Sequence, residues 1–217
     1  MINKIKHGFT LTEVLITLVI IAIISLILMS LVQNALPNED ILLVKKSLQT
    51  AQSVVQQLTN DARIYPDGTF INFPGDVQAS EQNAYFCNQF EDKINTKGAS
   101  NCAGSTINSP IVAYVNGSEF DSKCANINAN STVAFETTDG IKWYGLAGAF
   151  TNHEVDGHEQ DYKVICVKVS DEARAIGIGI RDDGKIIPGQ ILNSCLDADP
   201  TVNDSSECSS SLYPSND

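Results

Sequence analysis

The sequence predicts an α+β protein, in which a long N-terminal helix packs on a mostly antiparallel β head that is stabilised by disulfides. Three observations lead to this prediction. A charge-free apolar run covers Val14–Leu36, a second helical pattern follows it, and short alternating apolar runs fill the chain after about residue 66. All six cysteines lie in that last part.

The apolar run has the length of a membrane helix. At about 1.5 Å per residue, Val14–Leu36 reaches across the roughly 30 Å hydrocarbon core of a bilayer. Lys4 and Lys6 precede the run and favour a cytoplasmic N-terminus with the remainder exported. A cleaved secretory signal has a shorter apolar core followed by a small-residue cleavage site, which this sequence does not show.

Glu13 stands at the beginning of the apolar segment. An ionisable group in lipid costs about 2.5 kcal/mol or more, so such a carboxylate is a functional hypothesis by default. A simple single-pass anchor would explain the length and orientation of the helix. It would not explain the pattern Gly8–Glu13.

The residues around Glu13 resemble the N-terminus of the type IV filament superfamily, the type IV pilins and the pseudopilins of type II secretion. The resemblance covers Lys6 to about Leu36 and rests on Gly8, Phe9, Thr10, Leu11 and Glu13. It implies a leader, residues 1–8, that a prepilin peptidase removes between Gly8 and Phe9, and methylation of the new Phe9 amine. It also implies that Thr10, Leu11 and Glu13 serve recognition and assembly. His7, next to the glycine, departs from the family's usual basic residue.

The chemistry of this site can be argued from the residues themselves. After cleavage, the Phe9 ammonium and the Glu13 carboxylate are opposite charges about one helical turn apart. The ammonium of a neighbouring subunit could instead meet this carboxylate inside a helix bundle. Because an unpaired buried carboxylate is far costlier than a paired one, the pair would select one axial register between subunits.

A second helical pattern follows Pro37, which interrupts the apolar run. Apolar residues recur there at steps of three and four, which predicts one apolar stripe on an amphipathic helix: Val44, Leu48, Ala51, Val55, Leu58 and Ala62. We expect this stripe to face the core of the head rather than a partner. One interrupted helix from about Phe9 to about Arg63 results, and Ile64–Gly68 is its stop and turn signal.

The remaining residues predict a single exported head with strands and tight turns. A short helix is expected near Glu81–Glu91, and Asp182-Asp183-Gly184 predicts a tight hairpin. The predicted domains are the leader 1–8, the transmembrane or filament-core helix 9–36, its amphipathic continuation 37–65 and the head 66–217. The predicted strands are Ile111–Val115, Thr132–Glu136, Ile141–Phe150, Tyr162–Val169, Ala175–Ile180 and Lys185–Ile187.

An even number of cysteines in an exported segment favours disulfides, and six cysteines allow fifteen connectivities. Proximity along the chain suggests Cys87 with Cys102 and Cys195 with Cys208, which leaves Cys124 with Cys166. The sequence has no CxxC pair, so a zinc cluster or a thioredoxin-like redox site is not expected.

Two segments of the head, Phe135–Gly145 and Gly177–Gly189, resemble the head of pilin-like proteins found in many copies in some uncultured gut bacteria. Those proteins commonly have an Asp-x-Asn-Gly turn and a Pro-Asn between the two strands. This chain has Val167–Asp171 there instead. The resemblance implies no activity.

The segment His153–Asp161 is the one dense group of possible metal ligands. Carboxylates around an Asp-Gly turn could hold calcium, and histidines could hold a transition metal, with Asp156, His158 and Asp161 as the candidates. A solvated acidic loop is the alternative, because the spacing matches no EF-hand loop or HExxH motif. No other cofactor and no catalytic residue set is predicted.

Charge restricts the partners. Removal of the leader takes Lys4 and Lys6, so 12 basic and 26 acidic side chains remain and the net charge is −14. Direct nucleic-acid binding is unlikely, because it needs a basic surface. The expected partners are the membrane, a prepilin peptidase, other pilin subunits and a pilus or secretion assembly platform.

The sequence therefore predicts a non-enzymatic structural subunit of a type IV pilus or a type II secretion pseudopilus. It would be a single-pass protein of the bacterial cytoplasmic membrane with an exported head, and part of a surface or periplasmic filament after assembly. Two alternatives stay open. One is a minor or tip pilin of a DNA-uptake or secretion machine, and the other is a membrane-anchored exported binding protein or enzyme that uses the pilin route.

Overall fold

The computed structural model shows the predicted α+β architecture, with an N-terminal helix, an antiparallel sheet and three disulfides. The chain divides into two compact units, Met1–Pro37 and Asn38–Asp217. The structure describes residues 11–35, 39–78, 80–104, 118–128, 130–155, 158–196 and 207–213.

In its described part, the N-terminal unit is helix α1, Leu11–Ala35. The helix contains no glycine or proline, and Thr17 Oγ1 donates to the carbonyl oxygen of Val14 at 2.9 Å, which satisfies this hydroxyl within the helix. Its described large apolar side chains are exposed, from 46 % at Val14 to 87 % at Leu11. Within the described residues, no helix combines the length and apolar character that crossing a bilayer requires. The membrane span thus stays a prediction.

Helix α2, Glu39–Thr59, opens the second unit. Glu39 and Asp40 lie in its first turn, where the helix dipole stabilises carboxylates. One face of the helix is buried, and it contains the predicted stripe up to Leu58. The helix ends four residues before the predicted end, at Thr59, so Ala62 is exposed and does not extend the stripe. The predicted interruption at Pro37 lies outside the described residues. The buried residues of α2 are Ile41, Val44, Ser47, Leu48, Ala51, Val54, Val55 and Leu58.

The described residues of the second unit form one sheet of six antiparallel strands in the order β1-β2-β4-β5-β6, with β3 also paired to β4. Tyr162 of β4 pairs with Thr151 of β3 on one side and with Arg181 of β5 on the other. Strands β2 and β3 therefore share one edge of β4. The strands are β1 Phe135–Glu136, β2 Lys142–Tyr144, β3 Thr151–Val155, β4 His158–Lys168, β5 Ile176–Arg181 and β6 Ile186–Pro188.

The structure corrects several predicted strand limits. The predicted strand Ile141–Phe150 ends at Tyr144, and its second half is a loop that leads to β3. The segment Thr151–Lys168, predicted as a loop followed by a strand, holds β3 and β4 as a hairpin. The Asp182-Asp183-Gly184 turn joins β5 and β6 as predicted. The predicted strand Ile111–Val115 lies outside the described residues.

In the described ranges of this unit, five further helical segments accompany the sheet. Helix α3, Gln82–Glu91, coincides with the predicted short helix, and a 3-10 turn spans Cys102–Gly104. The sequence did not predict the other three, which are short: α4 Ser118–Cys124, α5 Gln190–Leu196 and α6 Glu207–Leu212.

The sheet is buried on both faces. On β4, Ile165 and Val167 point into a large core that contains the α2 stripe and Trp143. Val164 and Cys166, at the alternate positions, belong to a smaller core around Phe120 of α4. Period-two alternation of side chains explains the division, and both faces of β4 are therefore apolar.

The C-terminal helices lie against the beginning of α2. The Tyr213 hydroxyl donates to Asp40 Oδ2, and its oxygen lies 3.1 Å from Ser170 Oγ. The Arg174 backbone amide donates to the Leu212 carbonyl oxygen at 3.0 Å. These bonds tie residues near the end of the chain to the first turn of α2.

Candidate functional site

The predicted processing and assembly residues fall at the beginning of α1. Leu11 is its first residue, and Glu13 lies in its first turn, where the positive end of the helix dipole favours a carboxylate. Gly8, Phe9 and Thr10 lie outside the described residues. Their predicted roles, and those of Leu11 and Glu13, stay predictions.

The family comparison bears on this segment. A family model, the prokaryotic N-terminal methylation motif, matches residues 3–29. This motif is the prepilin-type cleavage and methylation signal of type IV pilins and pseudopilins. The chain carries a prepilin signal. No curated protein and no solved structure matches the chain.

The prepilin signal has consequences of a general kind. It implies processing by a prepilin peptidase and assembly with other pilin subunits. It also points to a structural rather than a catalytic protein. The matched range includes Gly8, Phe9 and Glu13, the residues on which the resemblance rests.

All six cysteines form disulfides, in the pairs that proximity along the chain suggested: Cys87–Cys102, Cys124–Cys166 and Cys195–Cys208. The first joins α3 to the 3-10 turn, the second joins α4 to β4, and the third joins α5 to α6. Each bridge thus attaches a short helix to a neighbouring element.

The candidate metal residues lie at the β3–β4 hairpin. Asp161 is a half-buried residue of β4, and its carbonyl oxygen accepts from the Asp182 backbone amide at 2.9 Å. Asp156 and the side chain of His158 lie outside the described residues. Within the described ranges, no group of three or more His, Cys, Asp or Glu side chains is placed to hold a metal ion. The metal site stays a prediction.

A buried lysine occupies the place where the sheet edge is interrupted. Strand β2 pairs with residues 166–168 of β4 and β3 with residues 158–162, so the loop 145–150 passes the stretch between them. Lys163, which is 4 % exposed, lies in that stretch. Its Nζ donates to the carbonyl oxygens of Ala147 at 3.0 Å and Gly148 at 2.6 Å. The ammonium thereby supplies this loop with hydrogen bonds that a paired strand would otherwise provide.

The surroundings of Lys163 are apolar. Its Nζ lies 5.8 Å from the ring centroid of Phe86 and 5.4 Å from that of Phe150, within cation–π range. Burial, with a smaller contribution from the charge of Lys123, lowers the pKa of Lys163 to about 7. Burial thus disfavours the charged form of this amine, whereas the two carbonyl oxygens and the two aromatic rings favour it.

A half-buried carboxylate, that of Asp121, joins α4 to the opposite face of the sheet. Asp121 accepts from the backbone amides of Gly177 at 2.9 Å and Ile191 at 2.8 Å. Burial raises the pKa of Asp121, and these amides oppose that shift. One side chain thus joins α4 to β5 and to the first turn of α5.

Two glycines of β5 allow this close approach. A Cβ on Gly177 would lie 2.4 Å from the backbone carbon of Phe120, and one on Gly179 would lie 2.5 Å from the Phe120 ring. Side chains at either position would displace α4. The two glycines of the Gly-Ile-Gly-Ile pattern therefore leave the space that Phe120 occupies. Nothing in the sequence alone explains this pattern.

Sequence reasoning missed Lys163 and Asp121. A signal for Lys163 existed, because Tyr162–Val167 is apolar at both alternate positions, which leaves no solvent-facing side for a charge. No such signal existed for Asp121, whose acceptor role depends on residues 56 and 70 positions away along the chain.

Proposed function

We propose that this chain is a structural subunit of a type IV pilus or a type II secretion pseudopilus, processed by a prepilin peptidase and assembled through its N-terminal apolar helix. The prepilin signal at residues 3–29 carries the proposal. The unit Asn38–Asp217 supports it, because a compact acidic head with three disulfides suits an exported filament surface.

The steps of assembly follow from the residues. Gly8 has no side chain, so a peptidase can approach its backbone closely. Cleavage after Gly8 creates an ammonium on Phe9, about one turn before Glu13. The exposed apolar side chains of α1 then provide the lateral contacts between copies, and the charge pair selects their axial register.

The proposal is tested on filaments sheared from cells that express the full chain. Intact-mass and peptide mass spectrometry should find an abundant band whose N-terminus is methylated Phe9. A trace of the same species among another subunit would make the chain a minor or tip pilin. A chain that retains residues 1–8, or never enters filaments, would contradict the proposal.

The register step has its own test. Glu13→Gln removes the charge from the first turn of α1, and we expect at least a tenfold loss of the chain from filaments while the leader is still removed. Thr17→Ala is the matched control on the same helix, because its hydroxyl donates to the Val14 carbonyl oxygen within that helix. Normal filament entry of Glu13→Gln would exclude the pairing mechanism.

A further inference from the structure

Between Gln49 and Asn60, over about three helical turns, the exposed side chains of α2 and of the residue that follows it carry no charge. These exposed side chains are five amides and one hydroxyl. We call this surface the amide stripe: Gln49, Gln52, Ser53, Gln56, Gln57 and Asn60. Solvent-facing helix surfaces usually carry charges of both signs. Depletion of charged side chains is instead a feature of the centre of protein–protein interfaces.

The amide stripe forms one wall of an open groove. Lys93 lies across from it, and Ser53, Gln57 and Lys93 line two consecutive sections of the groove, of about 670 Å³ and about 360 Å³. The first section extends to Arg63 and the second to Lys46. The groove therefore has a neutral, amide-rich wall, and its border holds three cations and the carboxylate of Asp61.

The border cations keep their charges exposed. Lys46 Nζ lies 2.7 Å from Asp139 Oδ2 with 59 % of its side chain exposed, and Arg63 is 90 % exposed beside Asp61. Lys93 is exposed as well. Lys46 and Arg63 are thus already paired with carboxylates of the same chain, whereas Lys93 has no ion pair among the described residues and is the cation that can meet an incoming acidic surface.

The remainder of the unit has the opposite charge. Of the 14 basic and 26 acidic side chains of the whole chain, Asn38–Asp217 contains all except Lys4, Lys6 and Glu13, which leaves 12 basic and 25 acidic groups and a net charge of −13. Two copies therefore repel each other over most orientations. A stable contact between them requires a neutral or basic surface on one side.

We propose that the groove along α2 docks the acidic surface of a second copy of this chain. This inference rests on the proposed function, in which copies assemble side by side. A second copy offers an acidic surface of the required sign, since the segment Ile64–Asp92 has five acidic residues and no basic one, with Asp67, Asp76 and Glu81 exposed.

The contact joins two different surfaces, so it can repeat from copy to copy in an open helical array. The amide stripe then donates to and accepts from the neighbouring backbone and carboxylates, and the cations Lys46, Arg63 and Lys93 flank the contact. Charge complementarity at such borders selects the orientation and partner more than it adds affinity.

The test places a benzophenone amino acid at Gln56 of the full chain in cells that form filaments. Illumination should give a covalent adduct of two copies, identified by mass spectrometry. The matched control is the same probe at Asn193, an exposed amide on α5 that lies outside both the groove and the acidic segment. An adduct with a different protein, or yields at Gln56 no higher than at Asn193, would overturn the inference.

A charge reversal gives the second arm. Lys93→Glu should lower the Gln56 adduct at least fivefold, whereas Lys97→Glu, an exposed lysine that pairs with Glu136 outside the groove, should leave it unchanged. Equal effects of the two reversals would overturn the inference. Filaments counted in the same preparation test the proposed function separately. If filaments form but no Gln56 adduct appears, the docking inference is contradicted and the proposed function is not.

Discussion

Helices α1 and α2 are similar in length, 25 and 21 residues, but they bury their side chains differently. The described apolar side chains of α1 are exposed on every side, whereas α2 buries one stripe and exposes a polar face. The period of the apolar residues, rather than their number, makes the difference. A helix that is apolar on one side can bury that side against the sheet of its own unit. A helix that is apolar on all sides can be covered completely only by other molecules.

This difference in burial predicts different roles for the two helices. We expect α2 to contribute to the free energy of unfolding of the head, and α1 to contribute to assembly. Trp143 makes the distinction measurable, because it is the chain's only tryptophan and is fully buried in the head. Its fluorescence in a urea titration of the full chain in detergent reports unfolding of the head.

The largest expected effect is the loss of the disulfide between α4 and β4. Removing Cys124 and Cys166 together, both to Ala, should lower the free energy of unfolding by about 4 kcal/mol, because this bridge closes a loop with a sequence separation of 42. The Trp143 urea titration measures the change. Leader removal, which depends on the N-terminal segment, should be unaffected in the portion of chain that folds.

The control for this prediction is a second disulfide. Replacing Cys195 and Cys208, whose separation is 13, should cost about 3 kcal/mol. A greater loss from the shorter loop would contradict the explanation by loop length.

The second prediction compares the helices directly. Leu58→Ala removes a fully buried side chain from the α2 stripe and should cost the head about 3 kcal/mol. Leu18→Ala in α1, where the side chain is 61 % exposed, should leave the Trp143 transition unchanged. Similar destabilisation by both substitutions would refute the division between the helices.

The third prediction concerns the seat of α4. Gly177→Ala should lower the free energy of unfolding by about 2 kcal/mol, since the new Cβ meets the backbone of Phe120, which cannot turn away as a side chain could. Gly75→Ala is the control, because no atom lies within 4 Å of a Cβ there. Thermal unfolding of the two variants, monitored at Trp143, tests whether the glycine is needed for the contact.

The smallest expected effect is a pH dependence from Lys163. Its folded pKa of about 7 lies below the ordinary value of a lysine, 10.5, so the unfolded chain binds more protons between these values and the stability of the head rises with pH. We expect a gain of about 1 to 2 kcal/mol from pH 7 to pH 9. Below about pH 7 the group is protonated in both states and adds no further slope.

Lys163→Met supplies the comparison for this titration. The variant keeps an apolar chain of similar length but has no amine, so its urea midpoints should not rise from pH 7 to pH 9. An equal rise in both proteins would assign the pH dependence to other groups.

The elements with a local signal could be predicted from the sequence. The stripe residues Val44 to Leu58 are spaced for one helix face and are buried, and the Asp182–Gly184 turn forms the predicted hairpin. The prediction that the stripe continues to Ala62 is wrong. The periodicity alone does not show that the helix ends in a turn at Asp61 and Arg63.

The contacts between distant segments could not be predicted. Strand β3 contains polar residues that resemble a loop, and it forms a strand only because β4 provides a partner for each of its five residues. Likewise, Asp121 and Phe120 acquire their roles from Gly177, which no local pattern connects to them. Tertiary pairing decided these features.

The hydrogen bond between Tyr213 and Asp40 joins two positions of the second unit that lie 173 residues apart along the chain. The Cys195–Cys208 bridge holds the helices from which Tyr213 extends. Because synthesis proceeds from the N-terminus, the first turn of α2 acquires this partner only after residue 213 has been made.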